Sequence, residues 1–548
     1  MSFRPTRRPD FKRRCLIISF VLCGGIMATA SARQPNFLVF LVDDYDKYET
    51  SPYGGKVLTP NLDRLAREGM LFHNAHVTST VCTPSRYTFL TGRYAGSSYC
   101  KQYRSLFPPG QQASPGFNMV LEDDNMNIGG LLARNGYATG FVGKYHVGPG
   151  DNDFHRAHGL HVVEKNVPYS AAINRQKRDN ETHYRRLIQD RGFTWAKHIY
   201  WENIKAPFQM HNPEWTIEAA VEFLETNRDR PFYLHYSTTL LHGPNGSWRR
   251  SLEHPEITGA GKITRKLASM PPRETVMTRI RAAGLTDSEA GYLWMDDSLG
   301  VLLEKLDQLK IADNTVVLFV ADHGSHNKGS LLKNRGTEIP CLLRWPRGIK
   351  AGVSCQELIQ NTDFVPTWLE LAGVKPPADY RLDGVSISPL FSKPGQPVRP
   401  YVYAEMGAAR SIKTKTHNYI ALRYTREQLE GVRAGNRRHL KALTGLSGGV
   451  SRSVSSTPNP YVPDQLYDLR KDPTEQANLA NDAPQAPSLR ILQRYLKKEL
   501  QVFENRPYGE FVSGGNAVAA GKHADVYQRL LETARAGKKK PKRPKGTK

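Results

Sequence analysis

The chain has 548 residues, 39% hydrophobic and 23% charged, with 45 Gly and 36 Pro, which excludes a fibrous or largely disordered protein and fits a large globular domain with a smaller companion. Its formal charge of +24 is concentrated at the ends: residues 1–30 hold six Lys/Arg and one acid, residues 538–548 hold seven and none, and +12 is left for the rest. That surplus favours a polyanionic partner, but zinc-finger spacing, a basic helix with heptads and an aromatic RNA-binding signature are all missing, so nucleic acid is not expected.

Arg7, Arg8, Lys12, Arg13 and Arg14 precede an apolar stretch from Leu16 to Ala30, and Ala28-Thr29-Ala30 and Ala30-Ser31-Ala32 offer small-residue cleavage sites. Residues 1–32 read as a secretory signal, too short for a comfortable span of about 20 residues. The product is expected to be exported, periplasmic or extracellular, without stable membrane insertion. Cys15 and Cys23 leave with that segment, and Cys82, Cys100, Cys341 and Cys355 remain. Buried free thiols are expected, with at most one bridge among the last three.

From Pro35 onward strands alternate with amphipathic helices, which implies a parallel or mixed sheet covered on both faces. Asn36 to Val42 is a continuous apolar run that stops at Asp43-Asp44, as a doubly buried strand would. Thr59 and Pro60 read as the cap and first position of a helix that Gly69 stops. Cys82 stands just before Pro84, in the first turn of another helix, where orphan N–H groups and the dipole favour an anion. Arg86 falls one turn later and could reach the same spot as a planar anion clamp.

Ile128, Leu131 and Leu132 line a further helix ended by Asn135-Gly136, and the strand Tyr137 to Val142 runs into Gly143-Lys144-Tyr145-His146. Pro231 to Tyr236 leads to Leu241-His242-Gly243-Pro244, Thr286 and Glu289 form a capping box for a long helix, and Thr315 to Val320 delivers Asp322-His323-Gly324. The carboxyl ends of such strands meet in one crevice, so four polar strand ends point to one site. Asp43, Asp44 and Asp322 brought together would repel one another unless a cation intervenes. Oxygen ligands favour calcium or magnesium, with His323 as a fourth protein ligand.

The boundaries are read as 1–32 for the signal, 33–400 for the catalytic domain, 401–535 for a C-terminal subdomain and 536–548 for a basic disordered tail. Ser411 to Thr416 and Asn418 to Arg423 read as an antiparallel pair, and Arg433 to Ser456 as a flexible loop. Two stretches, Arg175 to Trp201 and Arg249 to Arg281, mix Lys/Arg with aromatic residues without regular patterning. Arg185, Arg186, Arg249 and Arg250 are the substrate-binding candidates there, because cations suit an anionic group and flat rings suit a pyranose face.

The run Val81-Cys82-Thr83-Pro84-Ser85-Arg86, continued by Leu90-Thr91-Gly92-Arg93, resembles the signature of the type I sulfatases, Cys-x-Pro-Ser-Arg followed by Leu-Thr-Gly-Arg. The resemblance spans most of the chain after the signal. It implies an alkaline-phosphatase-like α/β fold: a large mixed, mostly parallel sheet sandwiched by helices, with a smaller C-terminal antiparallel sheet and helix closed by a motif around Gln465 to Leu479. It also implies that a formylglycine-generating or anaerobic sulfatase-maturating enzyme oxidises Cys82 to Cα-formylglycine (3-oxoalanine).

In the family the Asp-Asp and Asp-His pairs bind calcium, which maps onto Asp43, Asp44, Asp322 and His323, with Mg2+ as the alternative ion. Gly143 to Gly148 looks like the Gly-Lys-x-His-x-Gly motif that brings Lys144 and His146 to the site, His242 matches the histidine before Gly-Pro, and Lys328 matches the family lysine. A Tyr-Glu usual just after that lysine reads Leu332-Lys333 here. Met295 to Ser298 also matches, with packing and capping expected of it. The implied cycle has the formylglycine hydrate attack sulfur, with Asp322 taking its proton, Lys144 and Lys328 neutralising sulfate, His242 or Lys328 protonating the leaving oxygen, and His146 helping to expel sulfate. The expected substrate is a sulfated polysaccharide or oligosaccharide. The competing readings are a phosphate or phosphonate monoester hydrolase and a non-catalytic polyanion-binding protein.

Overall fold

The computed structural model describes Met1 and residues 34–148, 152–163, 167–203, 205, 208–243, 248–434 and 462–529. The signal segment apart from Met1, the loop at 433–456 beyond Ala434, the basic tail and Pro244 lie outside these residues. The strands are β1 (Asn36–Val42), β2 (Met70–His76), β3 (Ala138–Lys144), β4 (Trp195–Tyr200), β5 (Phe232–Ser237), β6 (Ile257–Thr258), β7 (Gly261–Lys262), β8 (Thr315–Ala321), β9 (Cys341–Arg344), β10 (Val353–Gln360), β11 (Val402–Met406), β12 (Ala409–Lys413), β13 (His417–Leu422) and β14 (Asp464–Asp468).

Eight of them form one sheet in the order β10-β2-β9-β8-β1-β5-β3-β4, in which β9 alone runs antiparallel to its neighbours. β1 lies between β8 and β5, with Leu38 opposite both Val317 and Leu234, and every residue of β1 and β8 is buried. A strand covered on both faces must be apolar throughout. That requirement is why these two runs could be located from composition, β1 to the residue and β8 one residue longer than expected.

Helices α1 (Pro60–Glu68), α2 (Cys82–Thr91), α3 (Ile128–Ala133), α4 (Ala171–Gln189), α5 (Pro213–Asn227), α6 (Ala290–Gln308), α7 (Phe364–Leu371) and α8 (Ala486–Leu500) accompany the strands. α1, α5 and α6 pack as one group, and α2, α3 and α7 as a second. Phe37 on β1 meets Trp368 of α7 at a ring distance of 5.2 Å.

Thr59 does not cap α1 with its side chain; its hydroxyl pairs with Ser51 Oγ. The orphan N–H groups of Asn61 and Leu62 donate instead to the Asp296 carboxylate, 2.9 Å each. The cap is therefore tertiary, supplied by α6, and it accounts for the capping role expected of Met295 to Ser298.

The stretch from Arg175 to Trp201 is more regular than its sequence suggests: it contains most of α4, started by Ser170 accepting from Ile173 N, and the edge strand β4. α4 buries Asn174, Asn180 and Glu181 along with Leu187 and Ile188. Polar residues on its inward face hide the helical period. Arg249 to Arg281 likewise contains most of a short helix (Trp248–Glu253), the β6-β7 hairpin and most of a second helix (Glu274–Ala282).

β11 to β14 make a separate antiparallel sheet in sequential order, and β12-β13 is the pair expected from Ser411 to Arg423. Leu492, Leu496 and Leu500 of α8 pack on Tyr403, Ile412 and Tyr419 from it. Glu475, in the closing motif, is buried and accepts from Lys333 N (2.6 Å), Asn334 N (3.2 Å) and Asn418 Nδ2 (2.6 Å), so the small sheet anchors the segment that follows Lys328. Glu475→Ala would leave buried donors unpaired and is expected to cost about 1–3 kcal/mol per group. A denaturant titration and a raised KM would register the loss. Cys82, Cys100, Cys341 and Cys355 are all free and buried. Among the described residues no helix is long and apolar enough to cross a membrane.

Candidate active site

Because β1, β3, β5 and β8 run parallel, their carboxyl ends open on the same edge of the sheet. β1 ends at Asp43 and Asp44, β8 at Asp322 and His323, β3 at Lys144, and β5 leads to His242. Asp44 (φ 56°) and His146 (φ 54°) adopt the left-handed conformation there, which is uncommon outside glycine and collects at functional sites. Gly143 turns the chain at φ +90° with its Cα against β5, and a Cβ at this position would sit 2.0 Å from Ser237 O. Only glycine lets β3 deliver Lys144 so close to its neighbour.

Cys82, the first residue of α2, is the meeting point. Its sulfur lies 3.3 Å from His323 Nε2, 3.6 Å from Lys328 Nζ, 3.8 Å from Lys144 Nζ and 3.6 Å from Asp43 Oδ1. Cys82, Asp43, Asp322 and His323 are each 0% exposed. Lys144 also pairs with Asp43, and Lys328 grips both oxygens of Asp44 at 2.8 and 2.9 Å. Arg86, one turn along α2, donates from Nε to Asp322 Oδ2 (3.0 Å) and from Nη1 to Lys144 O (3.1 Å) and Ser237 Oγ. Its Nη2 stands 3.3 Å from Asp43 Oδ1 without hydrogen-bond geometry. The guanidinium thus clamps the carboxylates of the chain itself.

Burial would raise the Asp43 carboxyl, yet Lys144 and Arg86 hold it well below the usual range. Asp44 is likewise brought down to about 2 against its own burial, chiefly by Lys328 and His323. For Asp322 burial prevails over His323 and Arg86, and its carboxyl rises to about 7. Burial disfavours the His323 imidazolium, but Asp322 and the Cys82 sulfur raise it to about 9. His146 is kept neutral by burial and by the charges of Lys144 and Arg86, and its Nδ1 is buried with no partner among the described residues.

The Cys82 thiol is pushed up by burial and pulled down further by Lys144 and Lys328, to about 6. An unconverted Cys82 is therefore a thiolate at neutral pH. The ultraviolet thiolate absorbance of unconverted protein, taken as a difference from Cys82→Ala, is expected to rise through a midpoint near pH 6; a midpoint above pH 8 would contradict this geometry.

Asp43, Asp322 and His323 offer ligand atoms that, together with the Cys82 sulfur, all lie within 4.8 Å of one another. Asp44 adjoins them, with Oδ1 3.2 Å from His323 Nε2, but is turned to Lys328. Buried carboxylates and an imidazole facing one point fit a hard divalent cation.

The crevice beside this cluster, about 280 Å³, is lined by Asp43, Lys144, Gln209, His211, Thr239 and His242 among others. His211, whose Nδ1 bonds Thr239 Oγ1 at 2.9 Å, was not singled out from the sequence, because His211-Asn212-Pro213 reads as an ordinary helix start. Arg185, Arg186, Arg249 and Arg250 do not reach the crevice: Arg185 pairs with Glu181, Arg249 with Asp287, and Arg186 and Arg250 are exposed.

Residues 35–374 match the family model described as Sulfatase, and residues 321–429 match that of the N-sulphoglucosamine sulphohydrolase C-terminal region. The chain is 26% identical to an ulvan-active sulfatase of Formosa agariphila over 86% of this chain and 80% of that one. It is 27% identical to arylsulfatase A of Bos taurus, covering 86% and 88% respectively. A solved structure of BT4656 in complex with its substrate D-glucosamine-2-N,6-O-disulfate shares the fold at a TM-score of 0.55 and 19% identity, covering 86% of this chain and 99% of that one.

Proposed function

The chain belongs to the sulfatase family, type I within the alkaline phosphatase superfamily, and from that premise we propose that it is an exported, formylglycine-dependent sulfatase acting on a sulfated polysaccharide or oligosaccharide. The observation that supports this most is the seat of Cys82, a sulfur with two lysine ammonium groups within 3.8 Å and Asp43 and His323 beside it. Once oxidised to 3-oxoalanine by a maturation enzyme, position 82 would supply a hydrated aldehyde hydroxyl as nucleophile toward sulfur. Asp43, Asp44, Asp322 and His323 would hold the cation, calcium or magnesium, whose Lewis acidity favours the ionised hydroxyl and withdraws charge from sulfate.

The remaining work falls to side chains of the chain. Lys144 and Lys328 face the place the sulfate oxygens would occupy and stabilise charge that grows there. Arg86 fixes Asp43 and Asp322 in place and helps keep Asp43 ionised, and Asp322, raised by burial, is the acceptor for the attacking proton. His242, half-buried at the open side of the crevice, or Lys328, donates to the departing sugar oxygen. His146, neutral and with an Nδ1 that has no partner among the described residues, takes the second proton.

The basic body of the protein and the ulvan named for its relative from Formosa agariphila support a polyanionic glycan. Residues 33–400 would form the catalytic domain and 401–535 the supporting subdomain. The test is protein purified from its own host and assayed for sulfate release from an aryl sulfate and a panel of sulfated glycans, with and without a chelator, alongside peptide mass spectrometry of residue 82. Conversion of Cys82 to the aldehyde and chelator-sensitive sulfate release are expected. An unmodified thiol throughout, or release of phosphate in preference to sulfate from matched esters, would refute the reading.

A further inference from the structure

A second, larger cleft lies alongside the crevice, and Glu202 and Asn203 line both. It is built by α4, by β4 with the segment after it, and by the residues around His155 and Phe208, the part of the chain that composition alone left irregular. Aromatic rings form its frame: Tyr184 stacks on Trp201 at 4.7 Å, and Trp201 stacks in turn on Tyr145, directly after Lys144, at 4.8 Å. Outside the lining, Tyr169 meets the lining ring of Phe208 at 6.3 Å with its own ring half exposed, and the Lys262 ammonium lies 5.7 Å from it. The lining, aromatic rings with several convergent polar groups, is of the kind that small-ligand sites use, and a ring beside polar groups suits the face of a sugar.

The charges in the cleft do not cancel. Glu202 is paired with Lys205, and His161 faces Asp179 at 3.5 Å. Lys177 of α4 meets no carboxylate at ion-pair distance among the described residues; its ammonium stands 4.9 Å from the Phe208 ring. Enclosure, with Lys205 nearby, lowers it to about 8, Glu202 offsetting only part of the effect. A half-buried ammonium with no carboxylate partner among the described residues attracts an anion from outside. Asn203 Oδ1, at the junction of the two spaces, is also buried with no partner among the described residues, and a sugar hydroxyl would satisfy it.

We propose that this cleft binds the sugar residue adjoining the one whose sulfate ester is attacked, and that Lys177 pairs with an anionic group, sulfate or carboxylate, on that neighbour. The inference rests on the glycan sulfatase reading and adds a requirement to it: the preferred substrate is at least a disaccharide with a second negative charge. A cation on one turn of α4 selects by charge, and the half-exposed ring of Tyr169 beside Phe208 offers a face to the pyranose.

Ulvan, carrageenan, chondroitin 6-sulfate and heparan oligosaccharides, each compared with its own sulfated monosaccharide, provide the test. Wild-type kcat/KM is expected to favour at least one anionic oligosaccharide over its monosaccharide by tenfold or more. Lys177→Gln should lower kcat/KM for that oligosaccharide about 10- to 100-fold more than for the monosaccharide, mainly through KM. Lys177→Arg should recover most of the preference. Equal losses on both substrates, or no preference in the wild type, would overturn the proposal. If no ester in the panel, aryl sulfate included, is hydrolysed, the sulfatase reading fails, and calorimetric binding of the same oligosaccharides decides the cleft by itself. Weaker binding to Lys177→Gln upholds it, and unchanged binding overturns it.

Discussion

Replacing Cys82 by alanine is expected to lower kcat/KM for every sulfate ester by at least about 10³-fold, about 4 kcal/mol of transition-state stabilisation, while far-ultraviolet circular dichroism stays that of the wild type. The two halves of that expectation have separate causes. Among the described residues Cys82 is the nucleophile on which the lysines, His323 and Asp43 all converge within 3.8 Å, and no other described nucleophile holds that place. Its removal deletes a single sulfur from a helix start that is otherwise held by neighbours, including Ser85 Oγ donating to Asp322 O and Asn361 Nδ2 donating to Ser85 O. Residual glycan binding with turnover lost would separate chemistry from recognition. Substantial turnover by Cys82→Ala would show that some other group attacks sulfur.

The second large effect is on stability. Arg86→Met removes a guanidinium that is 2% exposed and that faces two fully buried carboxylates, Asp43 and Asp322. Methionine fills much of the volume but leaves Lys144 and His323 as the main compensation for these acids. Breaking a buried ion pair from one side costs about 3–5 kcal/mol, and we expect a loss of that size by denaturant titration of metal-depleted protein. Added calcium should restore part of it, because a bound cation would neutralise the same carboxylates. Activity should fall as well, since Nη1 also holds Lys144 O and Ser237 Oγ. A variant as stable as wild type without metal would mean that Asp43 and Asp322 need no such clamp.

Features governed by local physics are written plainly along the chain. The central strands announce themselves because both of their faces are buried, and the acids that end them, Asp43-Asp44 and Asp322-His323, are visible as the abrupt stop of an apolar run. The capping box at Thr286 and Glu289 is present with both reciprocal bonds. Expectation and structure part where a polar group serves the interior. The helical period of α4 is hidden by Asn174, Asn180 and Glu181 on its buried face, and the cap expected of Thr59 comes instead from Asp296 on a different helix, 235 residues away in sequence from Asn61.

The arginines proposed for substrate, Arg185 and Arg249, are held by Glu181 and Asp287, whereas Lys177, one cation among many in that stretch, lines the neighbouring cleft with no carboxylate at ion-pair distance among the described residues.

Residue order by itself therefore determined the α/β class, the positions of β1 and β8, the cysteine-bearing signature and its family, and the residues that stand at the strand ends. Tertiary structure alone decided which charge serves which: that Arg86 secures Asp43 and Asp322, that Lys328 holds Asp44 across 284 residues, and that Glu475 steadies the segment after Lys328. The reason is one of range. Backbone conformation responds to burial and to neighbours a few positions away, and those are written along the chain. An ion pair depends on which of many similar side chains come within about 4 Å, and here that is set by the strand order β8-β1-β5-β3, through which distant stretches meet.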